Sequence, residues 1–335
     1  MREALFYEKL DGNEVRCLLC PRFCRLKPGR TGSCKVRENV KGKLVTHVYN
    51  KIASLGTDPV EKKPLYHFYP GMEIFSVGEV GCNFHCSFCQ NYRTSQCFAG
   101  DFRGFHAITA SQIISKARRE LQNIGIAYTY NEPFTFYEFM LDIAKLAKES
   151  GLKNVAVSNG YINPEPLRDL IPYMDAFNID LKAFNNGFYK KYIHGKLQPV
   201  LETIKTVAKN GKHLEITNLV IPGLNDDERQ FEEMVQWIAD ETGRDTPFHI
   251  SRYFSNYKLN IPPTPVETLI KLYVIAGKYL DYVYLGNVSD ERRSSTYCQN
   301  CGELLVERNL YRTRIVQKKF KGICTNCGSP VNMVF

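Results

Sequence analysis

The sequence predicts a parallel α/β fold, a full or partial (β/α)6 TIM-like barrel with small cysteine-rich metal-binding modules at its two ends. Three observations carry that expectation. Strand-like runs alternate with amphipathic helical stretches through the middle of the chain. Cysteine, acidic and amide residues gather where those runs end. Eleven of the twelve cysteines fall into three groups, two of them terminal. The corresponding division is residues 1–50 for an N-terminal four-cysteine module, 51–290 for the barrel, and 291–335 for a zinc-ribbon or rubredoxin-like module.

Runs rich in Val, Ile, Tyr and Phe mark strands at Glu73–Val80, Ile124–Tyr130, Asn154–Ser158, Ala176–Leu181, Leu214–Ile221, Pro247–Tyr253 and Tyr282–Leu285. The segments between them read as helices. Asn225-Asp-Asp-Glu supplies an N-cap and acids for the positive end of a helix, and Phe231, Met234, Val235 and Ile238 recur on one face. Pro199 suits a first helical turn, Val200, Ile204 and Val207 share a face, and Asn210-Gly211 stops that helix. Tyr137, Met140, Leu141 and Ala144 form the stripe of the helix before Gly151. Strands alternating with helices imply a parallel sheet with right-handed crossovers, whose chemistry collects at the C-terminal ends of the strands.

The chain is 44% hydrophobic and 24% charged, ordinary for a globular protein. It has no apolar run of about 18 residues or more, so no transmembrane helix and no membrane partner are expected. The start, Met1 to Lys9, places acids where a signal peptide needs an apolar stretch, so a cytoplasmic location is expected. The net charge of +9 is uneven: +6 over residues 1–50, −2 over 51–290 and +5 over 291–335. Basic ends can attract an acidic partner, nucleic acid or protein; equally, they can be the solvated surface of small metal-stapled modules.

In a reducing compartment, closely spaced cysteines read as metal or cluster ligands. Cys82, Cys86 and Cys89, spaced x3 and x2, follow directly on the first expected strand. Three thiols can wrap one 4Fe–4S cubane while ligating three of its four irons, which leaves the fourth iron open to an external ligand. A structural zinc site completed by His85 is the alternative. Cys298-Gln-Asn-Cys301-Gly and Cys324-Thr-Asn-Cys327-Gly form two near-identical knuckles, suited to a tetrahedral zinc, or to iron as in rubredoxin. Cys17, Cys20, Cys24 and Cys34 do not follow a ferredoxin spacing and read as a zinc site or an auxiliary iron–sulfur cluster. Cys97 stands alone and reads as a small buried hydrophobe.

The pattern Cys-x3-Cys-x-aromatic-Cys, with Phe88 at the aromatic position, resembles the signature of the radical SAM superfamily, and the expected barrel is then a radical SAM barrel. The chain resembles its pyruvate formate-lyase activating enzyme-like branch and, within it, the radical SAM member of the AmmeMemoRadiSam system. The residues that carry this are Cys-Leu-Leu-Cys-Pro-Arg-Phe-Cys near the start, Tyr-Thr-Tyr-Asn-Glu-Pro at 128–133, Asp-Leu-Lys at 180–182, and the final knuckles. The resemblance implies a 4Fe–4S cluster on Cys82, Cys86 and Cys89, bound S-adenosylmethionine, a low-potential donor of the flavodoxin or ferredoxin type, and a 5′-deoxyadenosyl radical that abstracts hydrogen. It also implies further cofactor contacts. Asn131 and Glu132 stand where the superfamily often has Gly-Gly-Glu, whose carboxylate or carbonyl takes the cofactor's ammonium group. Ser158 and Asn159 stand where relatives contact the methionine carboxylate or the ribose. Asp180 and Lys182 correspond to a motif near the cofactor. His249 resembles an adenine-side histidine, or is a satisfied core residue.

The substrate stays open between a protein, as for glycyl-radical activating enzymes, and an RNA or small metabolite. A non-catalytic metal-stapled binding protein would leave the central motif unexplained.

Overall fold

The computed structural model describes residues 1–317 and 319–335. Its central element is an eight-stranded sheet of β1 (Ser54–Pro59), β2 (Glu73–Gly78), β3 (Asn123–Tyr128), β4 (Lys153–Ser158), β5 (Ala176–Asp180), β6 (His213–Val220), β7 (Phe248–Arg252) and β8 (Val283–Gly286). Strands β2 to β8 lie side by side in chain order and pair in parallel, whereas β1 pairs antiparallel with β2. Their crossovers carry α1 (Ala110–Ala117), α2 (Tyr137–Glu149), α3 (Pro164–Leu170), α4 (Gln198–Lys209), α5 (Glu228–Thr242) and α6 (Val266–Ala276). Strands added in order by right-handed crossovers put their helices on one side and curl the sheet. Among the described residues β1 and β8 do not pair, so the barrel is partial.

All seven expected strands are present, with ends that differ by at most two residues. Their legibility follows from burial on both faces; β6, for example, is buried at six of its eight positions. The edge strand β1 was not expected. Ser54-Leu-Gly-Thr-Asp-Pro carries three residues disfavoured in strands, and pairing along the whole of β2, from Ser54↔Gly78 to Pro59↔Glu73, imposes its conformation. Pro59 is tolerated because it lies at the sheet edge.

The helix starts are locally encoded. Thr109 and Gln112 close a capping box at α1. At α5 the cap is Asp227, whose carboxylate accepts from the Gln230 N–H at 2.9 Å. Asn225 lies two residues earlier and ties that loop down, accepting from Ile221 N–H and donating to the Lys182 and Leu219 carbonyls. Pro199 sits in the first turn of α4, and Phe231, Met234, Val235 and Ile238 are all buried in α5.

The first 50 residues form two small antiparallel sheets, and Val15, Leu19, Leu26, Val36 and Leu44 join the barrel core. A buried ion pair, Arg37 to Glu138 at 2.5 Å, ties them to α2. At the other end, strands Thr296–Tyr297, Leu304–Asn309 and Arg312–Ile315 form a small antiparallel sheet, whose Leu305 and Val306 pack with Tyr66, Tyr282 and Tyr284 in a second apolar cluster.

A polar network closes the barrel where the strands begin. The fully buried Glu215 carboxylate accepts from the backbone N–H groups of Tyr66 and His67 and lies within 2.9 Å of the His213 ring and 2.6 Å of the His249 ring. His67 Nδ1 donates to the Asn332 carbonyl, and its Nε2 accepts from Tyr284. Arg308 is fully buried, donates to the Tyr66 carbonyl and to Thr296, and lies 3.7 Å from the Glu61 carboxylate. His249 therefore belongs to this floor. That corrects the adenine-side expectation: His249 and Ser251 face the same side of β7, but His249 sits one layer deeper, edge-on to Tyr66 at 4.7 Å.

Removing one member of a buried ion pair strands the other. We expect Arg308→Ala to lower unfolding free energy by about 3–5 kcal/mol, read by urea denaturation, because the Glu61 carboxylate is left alone in the core. The floor also sets an acid limit. Burial holds His67 down at about 3, below its ordinary 6.5. Burial alone would raise Glu215, yet its bonds to His213 and His249 bring it below the ordinary carboxylate range. Both folded values lie below the unfolded ones, so the unfolded chain binds more protons as the solution is acidified. Stability is then full above pH 6.5 and falls as pH drops toward 3. His67→Gln should flatten the melting-temperature profile between pH 6.5 and 4.5, and an unchanged slope would contradict this origin.

Candidate active site at the carboxyl ends of the strands

A cavity of about 240 Å³ opens where the parallel strands end. Cys82, Cys86 and Cys89 line it from the loop after β2, Asn131 from the loop after β3, Asn159 from the end of β4, and Asp180 and Lys182 from the end of β5. Phe88, 4% exposed, forms part of the wall. One cavity thus gathers most of the residues singled out from the sequence, drawn from four loops.

The cysteine loop is shaped by its backbone. Gly81 has φ +90°, a region that favours glycine, and a side chain there would collide with the Cys34 carbonyl at 2.6 Å and Val36 at 2.5 Å. The Phe84 N–H lies 3.3 Å from Cys82 Sγ, Asn159 Nδ2 lies 3.6 Å from the same sulfur, and Ser95 Oγ lies 3.3 Å from Cys89 Sγ. Burial pushes the Cys86 thiol up to about 12 and the Cys82 thiol well above its ordinary value. Ligation must therefore expel protons from these groups. His85 does not complete a zinc site: its ring nitrogens are taken by Gln96 at 2.5 Å and Ser33 at 2.7 Å. An incomplete thiolate shell facing an open polar cavity fits a cubane with one exchangeable iron.

Glu132 is 1% exposed and is not among the residues lining the cavity. Its carboxylate accepts from the Phe134 N–H at 3.0 Å, the Ser158 hydroxyl at 2.8 Å and the Asn159 N–H at 2.8 Å. Burial raises it to about 7 against those bonds. Both oxygens accept bonds from the chain, and through them Glu132 holds the turn that carries Asn159 beside Cys82. Ser158 is buried in the same turn and likewise stands behind the lining.

Tyr130 occupies a position where glycine was the anticipated type, and it adopts a glycine-like φ of +74°. That conformation costs about 1–2 kcal/mol for a residue with a side chain. Its hydroxyl donates to Asp58 at 2.8 Å, and Lys63 lies 4.8 Å from its ring. Gly78 makes room: a Cβ there would stand 2.5 Å from the tyrosine ring. Asn131 donates its side-chain amide to the Glu79 carbonyl. Lys182 Nζ bonds Asp180 at 2.9 Å; burial would lower the lysine, but Asp180 and Cys86 outweigh it and raise it.

Sequence reasoning missed Thr217, Ser251 and Asn287, which also line the cavity. The expectation that chemistry collects at strand ends would have found the last two, because they lie near the end of β7 and just after β8. It missed Glu79 as well, a carboxyl 1% exposed whose two oxygens have no hydrogen-bond partner. Cys97, expected to be buried, is partly exposed.

The knuckles are different in kind. The sulfurs of Cys298, Cys301, Cys324 and Cys327 all lie within 4.8 Å of one another, with contacts of 3.6 Å and 3.7 Å across the two pairs. Gly302 and Gly328 adopt φ +74° and +75° and close the same turn twice, as the repeated sequence implied. This donor set fits one tetrahedral ion.

Comparison with known proteins agrees with this geometry. A profile of the radical SAM superfamily matches residues 79–238. An uncharacterised protein of Methanocaldococcus jannaschii is 45% identical over 337 residues, spanning 100% of both chains. The pyruvate formate-lyase-activating enzyme of Clostridium pasteurianum is 24% identical over 192 residues, covering 54% of this chain and 77% of its own. In fold, a radical SAM methyltransferase from Sphaerobacter thermophilus superposes with a TM-score of 0.50 at 16% identity, over 71% of each chain. With a Cys-x3-Cys-x2-Cys loop at the mouth of an in-order parallel barrel, the chain belongs to the radical SAM superfamily.

Proposed function

We propose that this protein is a radical SAM enzyme of the activating-enzyme type that directs its radical at a protein partner. The observation that carries the catalytic part is the single cavity lined by Cys82, Cys86 and Cys89 together with Asn131, Asn159, Asp180 and Lys182. The chemistry supplied by a bound 4Fe–4S cluster and S-adenosylmethionine is one-electron cleavage of a carbon–sulfur bond, giving methionine and a 5′-deoxyadenosyl radical for hydrogen abstraction.

The chain's own residues bind and orient. Cys82, Cys86 and Cys89 would hold the cluster from the loop that lines one side of the cavity. Asn131 and Asn159, each fixed by its own bonds to the chain, form the polar wall against which the amino-acid part of the cofactor would lie. Lys182 presents a cation to its carboxylate, and Asp180 keeps that ammonium in place. Glu132 holds Asn159 without touching the cofactor. Phe84, Phe88 and Leu219 form apolar wall that keeps water from the reacting bond. The partner class is supported by the activating enzymes among the relatives, at 22–24% identity over about half of the chain. A cation beside Asp180 is not part of the proposal, since Lys182 already neutralises it.

Cys86→Ala should abolish 5′-deoxyadenosine formation in anaerobically reconstituted protein while circular dichroism stays unchanged; turnover at the wild-type rate would refute the assignment. Lys182→Ala removes a charge-assisted contact worth about 1.5–3 kcal/mol and should raise the KM for S-adenosylmethionine roughly 10- to 100-fold. The partner class is tested with extracts of cells grown in deuterated medium. Deuterium should enter 5′-deoxyadenosine from the protein fraction; entry from the small-molecule or RNA fraction alone would overturn that part.

A further inference from the structure

We propose that Cys17, Cys20, Cys24 and Cys34 hold a second 4Fe–4S cluster, ligated entirely by protein and seated directly behind the loop of Cys82, Cys86 and Cys89. The pairing of two clusters rests on the first one occupying that loop.

The sulfur geometry divides the cysteines into two kinds. One zinc ion with Zn–S of about 2.3 Å holds its four sulfurs roughly 3.8 Å apart. The C-terminal knuckles meet that requirement, and among the described residues they are the set of metal-ligating groups that converges within 4.8 Å. The N-terminal quartet does not, and neither does the Cys82, Cys86 and Cys89 trio. Each of these instead surrounds a cavity. All four N-terminal cysteines line a single small void together with Leu19, Leu26 and Gly32. That void is small, about 20 Å³, and spacing is what discriminates: sulfurs this far apart suit a cubane, with irons at its corners, better than one ion.

Two cations are aimed at this space. Arg22 and Arg37 both line the void, and Arg22 Nη2 and Arg37 Nε are buried without a hydrogen-bond partner. Arg37, 1% exposed, also places Nη1 3.8 Å from Cys17 Sγ. Unpaired buried N–H groups are costly, and inorganic sulfides and thiolates would supply their acceptors. The Ser33 N–H already lies 3.5 Å from Cys24 Sγ, an arrangement that tunes iron–sulfur sites.

The void is locked to the catalytic loop yet separate from the catalytic cavity, with which it shares no lining residue. The Cys34 carbonyl lies against Gly81, so close that no Cβ fits between. Arg22 Nε donates to the Asn83 carbonyl at 2.7 Å, and Asn83 lines the void. The Asn83 side chain accepts at 2.9 Å from Asn159 Nδ2, which is itself 3.6 Å from Cys82 Sγ. Ser33 and His85 join the two loops again at 2.7 Å. With four protein ligands this site keeps no open position, so it is not a second binding place for S-adenosylmethionine.

Acid-labile sulfide tests the assignment, because a zinc or rubredoxin-like site contributes none. Anaerobically reconstituted wild type should hold about eight sulfides per chain, and the variants C82A/C86A/C89A and C20A/C24A about four each. Electron paramagnetic resonance of the reduced wild type should show mutual broadening that is absent from both variants. Sulfide of about four in wild type and none in C82A/C86A/C89A would overturn the second cluster while leaving the catalytic one standing. Sulfide retained in C82A/C86A/C89A and lost in C20A/C24A, with wild type at four, would instead sink the catalytic reading. Should C20A/C24A fail to fold, the wild type decides: two zinc ions per chain beside about four sulfides would refute the second cluster.

Discussion

Seven parallel strands laid down in chain order have two unlike ends, and the rest of the molecule answers to that asymmetry. At the carboxyl ends the loops are free to diverge in length and composition, and there the thiols, amides and the Asp180–Lys182 pair line one cavity. At the amino ends the barrel must be closed. Closure is polar: Glu215 is held by the His213 and His249 rings and the His67 N–H, the His67 ring bonds Asn332 and Tyr284, and Arg308 donates to the Tyr66 carbonyl and Thr296. A buried carboxylate surrounded by four nitrogen partners is tolerable only because each is already positioned by a strand or by the Tyr66–His67 segment.

The sequence spoke clearly wherever one physical signal acted alone. Strands buried on both faces showed as apolar runs, and the paired knuckles announced one tetrahedral site through their repeated Cys-x2-Cys-Gly. It spoke less clearly where depth mattered. His249 and Ser251 share a strand face, but only Ser251 reaches the cavity, and alternation along a strand carries no information about layer. The surroundings of Glu132 are equally hidden in the sequence, because the three donors to its carboxylate come from residues 134, 158 and 159. Strand β1 was invisible for the opposite reason: its conformation is dictated by its neighbour and opposes its own propensities.

The same division separates the three cysteine groups. Spacing alone could not tell zinc from a cluster at Cys17, Cys20, Cys24 and Cys34. Three-dimensional separation of the sulfurs, and one buried N–H without a partner on each of Arg22 and Arg37, bear on that choice in a way that a linear pattern cannot. Tyr130 makes a related point. A position suited to glycine is filled by a bulky ring, and the backbone geometry is kept by a hydroxyl bond to Asp58 and by the bare backbone of Gly78.

The floor of the barrel has a wider consequence. The knuckle segment is no detachable appendage: Arg308 and the Asn332 carbonyl reach into the base of the barrel, and Tyr284 of β8 sits between the two. Starving the chain of the ion that organises those four thiols would loosen the scaffold beneath the catalytic mouth. Supply of a simple metal would thereby govern how much competent enzyme a cell can accumulate.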